Sequence, residues 1–226
     1  MARTLTLTKS LSWQSFQGID VKEKIIVMKN LGATAHGVTE REKDDFYMTQ
    51  PIAATCLAGE LDKLGLPLPN VIWECACGNG KLSNEFTRLG HTVISTDLVD
   101  RDYGISGVDF LKLDEPPSNR MTDFAIVTNP PFKHAEAFVR KGLELVPDGA
   151  IVAMFLRTLF LESVARKKLF EEHPPRYVMV ASRRVNCWKP TVSEDCSSAM
   201  SFSWFVWEKG YKGTTQLVWF DKSEYE

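Results

Sequence analysis

Asn129-Pro130-Pro131-Phe132 places a side-chain amide, a carbonyl held by proline and an aromatic ring in one short segment. It follows the apolar run Phe124-Ala-Ile-Val-Thr128, which reads as a buried strand, so the four residues occupy a strand end. Proline fixes the backbone there, and the Asn129 side-chain oxygen and the Pro130 carbonyl become two acceptors aimed at one point. That set suits an exocyclic amine. Its hydrogens would bond to the two oxygens, its lone pair would be concentrated toward an electrophilic methyl, and Phe132 would stack on the ring that carries it. A flipped-out base meets those requirements, although Asn-Pro pairs also open plain turns and the tetrapeptide by itself leaves that account open.

The elements upstream narrow the choice. Val71-Ile-Trp73 reads as a short strand, Glu74-Cys-Ala76-Cys-Gly78-Asn-Gly80 as a glycine turn, and Lys81 to Leu89, apolar at Leu82, Phe86 and Leu89, as a helix. Gly78 and Gly80 let the backbone turn tightly and approach a ligand, and the start of the helix offers unpaired amide hydrogens. A second apolar strand, Thr92-Val-Ile-Ser-Thr96, ends in Asp97, the position from which a carboxylate commonly grips ribose hydroxyls. Two glycines alone are a weak signal. Strand, glycine turn, helix, strand, Asp and a later strand ending in Asn-Pro-Pro-Phe form an ordered set that chance seldom assembles, and it points to a nucleoside-bearing cofactor.

With these motifs the chain resembles the class I S-adenosylmethionine-dependent methyltransferases, specifically the N6-adenine DNA methyltransferases of the small Dam-like kind carried by bacteriophages. The resemblance covers about residues 44 to 220. The family's catalytic motif reads Asp, Asn or Ser, then Pro-Pro, then Phe, Tyr or Trp, and Asn129, Pro130, Pro131 and Phe132 match at each place. Its cofactor motif is met by Glu74, Cys77, Gly78 and Gly80, with Ala76 inside the turn and Cys75 standing where proline is frequent. The resemblance implies S-adenosylmethionine as cofactor, with Asp97 on its ribose, Asp109 and Phe110 beside its adenine, and the segment Phe46-Tyr47-Met48-Thr49-Gln50-Pro51 over its methionine end. Other accounts stay open: Asp109 as a turn carboxylate near Gly107, and Phe46 and Tyr47 as core aromatics. The order of motifs resembles the gamma arrangement of amino-methyltransferases, without circular permutation.

The implied fold is α/β, a Rossmann-like class I methyltransferase with a mostly parallel sheet, helices on both faces and a C-terminal antiparallel hairpin around 209–213. The remaining pattern agrees with it. Ala53 to Leu64, Ala135 to Leu145 and Leu159 to Glu172 read as helices, and Ala150–Phe155, Tyr177–Ala181, Ser201–Trp207 and Thr215–Phe220 as strands. Residues 1–43 form an N-terminal arm of uncertain role, and 44–226 the methyltransferase domain, with no large target-recognition insertion.

At 226 residues, 44% hydrophobic and 25% charged, the chain can bury a sizeable core, and no apolar run is long enough to span a membrane. Met1-Ala-Arg-Thr-Leu-Thr-Leu-Thr lacks the hydrophobic stretch of a signal peptide, so the expected location is cytoplasmic, the host cytoplasm for a phage protein. Five cysteines, with Cys75-x-Cys77 wrongly spaced for zinc, read as reduced thiols, and no metal is expected.

A net charge of −2 is unusual for a nucleic-acid binder, which commonly shows a basic excess on one face. The cations that follow the catalytic motif can still form a basic rim. Arg166-Lys-Lys168 reads as the solvated face of a helix, whereas Arg183 and Arg184 open a loop, Val185 to Met200, that holds Trp188, Lys189 and Pro190. Arg183, Arg184, Trp188 and Lys189 are therefore the expected substrate contacts, against the alternative of a mobile loop with one buried tryptophan. The expected partner is DNA. RNA remains possible as the substrate, and a binding module on a methyltransferase scaffold is the reading outside catalysis. Oligomeric state and recognition sequence are not encoded legibly.

Overall fold

The computed structural model describes residues 46–118, 121–188 and 200–226, so the expected arm at 1–43 and Lys189 lie outside the described residues. The described chain opens with β1 (Met48–Thr49) and α1 (Ile52–Lys63), continues through β2 (Val71–Glu74), α2 (Lys81–Arg88) and β3 (Thr92–Ser95), and reaches β4 (Phe124–Thr128) and α3 (Ala135–Leu145). β5 (Ile151–Arg157), α4 (Val164–Glu172), β6 (Tyr177–Ala181), β7 (Cys187–Trp188), β8 (Phe202–Glu208) and β9 (Gln216–Phe220) complete it.

Seven strands form one sheet in the order β3-β2-β4-β5-β8-β6-β9. β2 pairs in parallel with β3 and β4, β4 with β5, and β6 with β9, whereas β8 runs antiparallel between β5 and β6. The sheet is mostly parallel, as expected. Its antiparallel C-terminal element is also present, with β6 and β8 as its members; the turn at 209–213 links strands that lie on either side of β6. Burial explains the difference. β8 reads Phe-Ser-Trp-Phe-Val-Trp-Glu and is buried on both faces up to Glu208, so it belongs inside the sheet, while β9 exposes Gln216, Leu217 and Trp219 and takes the edge.

Period-2 alternation in β5 sets the two core layers. Ile151, Ala153 and Phe155 pack with Leu57 and Leu61 of α1 and Phe86 of α2 on one face. Val152, Met154 and Leu156 pack with Phe138 and Val139 of α3 and Leu169 of α4 on the other. Each of the larger side chains contributes roughly 1.5–3 kcal/mol on full burial, so both faces need their helices. Two buried indoles are paired: Trp204 Nε1 donates to the Ala53 carbonyl at 2.9 Å and Trp73 Nε1 to Thr96 Oγ1 at 3.0 Å.

Two expected elements differ in detail. The helix expected over 159–172 is a 3₁₀ turn at Thr158–Leu161 followed by α4, because Ser163 breaks it and caps the new start, its Oγ accepting from the Ala165 N–H at 3.2 Å. The expected loop at 185–200 begins as structure: Val185, Cys187 and Trp188 are buried, and β7 pairs antiparallel with β1. That pairing matters for the site, since it holds the segment 46–49 over the carboxyl ends of the parallel strands.

Candidate active site

The glycine turn after β2 takes its shape from two left-handed residues, Gly78 at φ 55° and Gly80 at φ 77°. A side chain at 78 would also collide with a neighbour, as an added Cβ would lie 2.4 Å from the Phe46 ring. The Gly78 N–H donates to Asp97 Oδ2 and the Val99 N–H to Asp97 Oδ1, both at 2.8 Å, so one carboxylate ties the end of β2 to the loop after β3. An ionised carboxylate offers about four acceptor sites, and these two bonds leave capacity for hydroxyls. Beside the turn, the Arg101 guanidinium lies 4.1 Å from the centroid of Phe46, and its Nε is buried with no hydrogen-bond partner among the described residues.

These groups border a cavity of about 350 Å³ lined by Phe46, Tyr47, Ala76, Asp97, Asp109, Phe110 and Asn129-Pro130-Pro131, with Leu98, Val99, Arg101, His134 and Phe138 closing it. That volume lies in the range of small-molecule sites. Phe110 is buried edge-on to Trp73 and stacked on Phe138, so it forms the floor. Asp109 accepts from the Leu111 N–H at 3.2 Å, and the Lys112 ammonium, 2.9 Å away, holds its carboxyl below the usual carboxylate range. Glu74 faces away into the packing of α2. It is buried, accepts a hydrogen bond from Ser83 Oγ, and burial pushes its carboxyl up to about 8. A small adjoining cavity of about 30 Å³ carries Glu74, Thr49, Asn79 and Lys81 together with Asn129.

At the end of β4, Asn129 Nδ2 donates to the Tyr47 carbonyl at 3.2 Å and to Thr49 Oγ1 at 2.9 Å, with Cys187 Sγ at 3.7 Å. A carbonyl can only accept, so these contacts assign the nitrogen and fix the amide orientation. Asn129 Oδ1 is buried and has no hydrogen-bond partner among the described residues. Leaving such an acceptor unpaired costs about 1–3 kcal/mol, which a bound donor would recover. Phe132 stacks on Tyr47, with centroids 4.9 Å apart and planes at 27°, and leans on Phe202.

No protein-family model and no curated protein sequence matches the chain. Solved structures do. A type I restriction-modification system methyltransferase subunit from Streptococcus thermophilus superposes with a TM-score of 0.58 at 15% identity over 80% of this chain, which spans about half (48%) of that one. A protein from Listeria monocytogenes, provisionally named a class I S-adenosylmethionine-dependent methyltransferase, gives 0.54 at 12% identity over 88% of this chain and 71% of its own. The fold is the Rossmann-like class I methyltransferase fold. A protein provisionally named a hemolysin, from Lactococcus lactis, shares it at a TM-score of 0.55 and 8% identity over 76% of this chain and 94% of its own. At such identities the class I methyltransferase fold is what is shared, and the chemistry has to be argued from the site.

Within this class I methyltransferase fold, Asp97, Asp109, Phe110, Ala76, Tyr47 and the first three residues of the tetrapeptide meet around one cavity. Of the residues expected to contact substrate, Arg183, Arg184 and Trp188 do not line that cavity. Arg183 is exposed and ion-paired with Asp221 at 3.1 Å, and Arg184 is exposed on the same loop. Trp188 is buried, with the Lys81 ammonium 4.7 Å over its ring, so it forms part of the wall. Sequence reasoning passed over Arg101, His134 and Lys81. Arg101 had one legible signal, its place four residues after Asp97 in a loop that must return toward the cofactor side.

Proposed function

We propose that this protein transfers the methyl group of S-adenosylmethionine to the exocyclic N6 amine of adenine in DNA, acting on a base turned out of the helix. The observation that carries this reading is the unpaired Asn129 Oδ1: its partner atom Nδ2 is held by Tyr47 and Thr49, so the oxygen is the free end of a rigid acceptor.

The cavity suits the cofactor in size, in the acceptor capacity left on Asp97, and in the absence of a Cβ at Gly78 where the Phe46 ring closes the turn. Asp97 would hold the ribose, Asp109 and Phe110 the adenine, and Tyr47, Thr49, Glu74, Ala76, Gly78 and Gly80 would shape the rest. When bound, the cofactor supplies a methyl that is already strongly electrophilic on a sulfonium. The chain's own task is alignment. Asn129 Oδ1 and the Pro130 carbonyl accept the two amine hydrogens, directing the nitrogen lone pair at the methyl, and the surplus proton leaves to water after transfer. Phe132, braced by Tyr47, offers the aromatic surface beside the base. Extrusion costs a few kcal/mol, which stacking and the two hydrogen bonds offset.

The test is incubation with methyl-labelled S-adenosylmethionine and unmethylated duplex DNA, digestion to nucleosides, and a search for labelled N6-methyldeoxyadenosine, with Asn129→Ala beside it. Label in deoxyadenosine that is absent from the variant is the expected result; label in RNA or protein substrates alone, or none at all, would reject the reading.

A further inference from the structure

β4 and β5 are adjacent and parallel, so Arg157, the last residue of β5, emerges on the same sheet edge as Asn129. Arg157 is half-buried and makes no ion pair or side-chain hydrogen bond among the described residues. It lines a second cavity, of about 150 Å³, together with Phe132, Leu156 and Phe160. A partly desolvated cation without a counter-charge is costly to keep, and an anion entering that cavity would offset the cost.

The turn that follows is built differently from an ordinary loop. Arg166 Nε donates to the Phe160 carbonyl at 2.8 Å, and its Nη2 to the carbonyls of Leu159 at 3.2 Å and Glu162 at 2.6 Å. The same guanidinium lies 4.7 Å over the Phe160 ring. One guanidinium thereby ties three carbonyls of the turn together, that of Leu159 also accepting from the Glu162 N–H at 3.0 Å, and the turn is fixed in place. Its outer side nevertheless shows Leu159, Leu161 and Val164 to solvent, the last 94% exposed. Lys167 and Lys168, three and four residues beyond Val164, share its helix face and pair with Glu171 at 3.3 Å and with the half-buried Glu172 at 3.5 Å. A rigid apolar knob flanked by cations, adjoining an uncompensated guanidinium and sharing the Phe132 wall, is complementary to a polymer with phosphates outside and an apolar stack inside.

We propose that the segment 157–168 is the docking face for duplex DNA, Arg157 holding a backbone phosphate next to the target nucleotide while Leu161 and Val164 press into the base stack. This rests on the adenine-methylation reading and moves the main substrate contact from Arg183 and Arg184 to the turn after β5. Apolar wedges of this kind unstack a base step and so assist extrusion.

The experiment is equilibrium binding of a fluorescent DNA duplex, with S-adenosylhomocysteine present, across a salt series, for the unsubstituted chain, Arg157→Gln, Arg157→Lys and the double variant Leu161→Ser/Val164→Ser. Arg157→Gln is expected to lower the slope of log affinity against log salt by about 0.9, the value of one phosphate contact, and Arg157→Lys to restore it. The double variant is expected to bind duplex about tenfold more weakly with the slope unchanged, as loss of apolar contact without loss of charge requires. Thermal melting of each variant shows whether it is folded. Duplex binding by the unsubstituted chain with the same affinity and slope in folded variants would overturn the docking face alone, as would effects confined to an RNA duplex. No binding or methylation of duplex DNA by the unsubstituted chain would remove the functional reading and this inference together.

Discussion

The Asn129 side-chain amide donates to the main-chain carbonyl of Tyr47 at 3.2 Å, and that single contact decides which end of the amide faces the reaction. Tyr47 lies in the segment before the glycine turn and Asn129 at the end of β4, so this bond and the one to Thr49 join two distant motifs. Asn129→Ala is expected to lower methyl transfer by at least ~100-fold, the scale of losing a preorganised donor or acceptor at a reacting centre. S-adenosylhomocysteine affinity, measured by calorimetry, is expected to stay within about threefold, because the lost interaction is made to the amine. A variant that lost cofactor affinity and kept its turnover would contradict the assignment.

Thr49 holds the other side of the same nitrogen, its Oγ1 accepting from Asn129 Nδ2 at 2.9 Å. Thr49→Val removes that acceptor at nearly constant volume and is expected to reduce kcat by about tenfold, as a loosened catalytic geometry does. Thr49→Ser keeps the hydroxyl and is expected to retain most of the activity. Steady-state kinetics on both variants separates a hydrogen-bonding role from a packing role.

Gly78 combines a left-handed φ of 55° with a Phe46 ring 2.4 Å from where a Cβ would stand. Gly78→Ala adds about 1–2 kcal/mol of backbone strain and a steric conflict, so weaker cofactor binding by about tenfold or more is expected. The double variant Gly78→Ala/Phe46→Ala keeps the strain and removes the conflict, and partial recovery of affinity is expected in calorimetry. Equal affinities for the single and double variants would show that the ring contact has no effect.

Asp97 accepts from two backbone N–H groups, those of Gly78 and Val99. Asp97→Ala strands both donors at a cost of about 1–3 kcal/mol each where they are buried, so it is expected to lower Tm as well as cofactor affinity. Asp97→Asn keeps one acceptor oxygen and is expected to fall between. Turnover at saturating cofactor is the discriminating measurement, since a binding residue raises KM far more than it lowers kcat.

Glu74 makes the folded state sensitive to pH. Its carboxyl is pushed up to about 8 by burial, from an ordinary value of 4.5, so between those values the native protein holds a proton that the unfolded chain has released. Stability from this group is therefore full below about 4.5, falls as the pH rises toward 8, and changes no further above it. Glu74→Gln preserves an oxygen for the Ser83 hydroxyl and cannot ionise. The cofactor-free variant is expected to melt at a higher temperature than the unsubstituted protein at pH 8, with the difference shrinking toward pH 5. A gap in Tm independent of pH would show that the Glu74 side chain is not the titrating group.

Much of this could be read along the chain because the relevant signals are local. Apolar runs such as Phe124–Thr128 and Tyr177–Ala181 are strands in the structure, and the helix after Gly80 begins where the glycine turn requires it. The break at Ser163 was readable too, since a serine before a helical run is a common cap, but the periodicity from Leu159 onward masked it. The order of the last strands was not readable. Sequence adjacency favours pairing β8 with β9, and only the competition for interior positions puts the more apolar β8 beside β5 and leaves β9 at the edge. Likewise, nothing near Trp188 announces that β7 will pair with β1 and bury that ring beneath Lys81.

What the sequence by itself determined is the set of chemical groups and their placement at strand ends: the Asn-Pro-Pro-Phe acceptor pair, the glycine turn and the carboxylate after β3. These follow from backbone preferences and hydrophobic period, which act over a few residues. What the tertiary structure alone decided is orientation and company. The short β1–β7 ladder brings the Tyr47 carbonyl and Thr49 to the Asn129 nitrogen and so leaves its oxygen unpaired, and the parallel neighbour of β4 brings an uncompensated Arg157 to the same edge. Both are contacts between segments far apart in the chain, set by which faces must be buried together, and no local pattern encodes them.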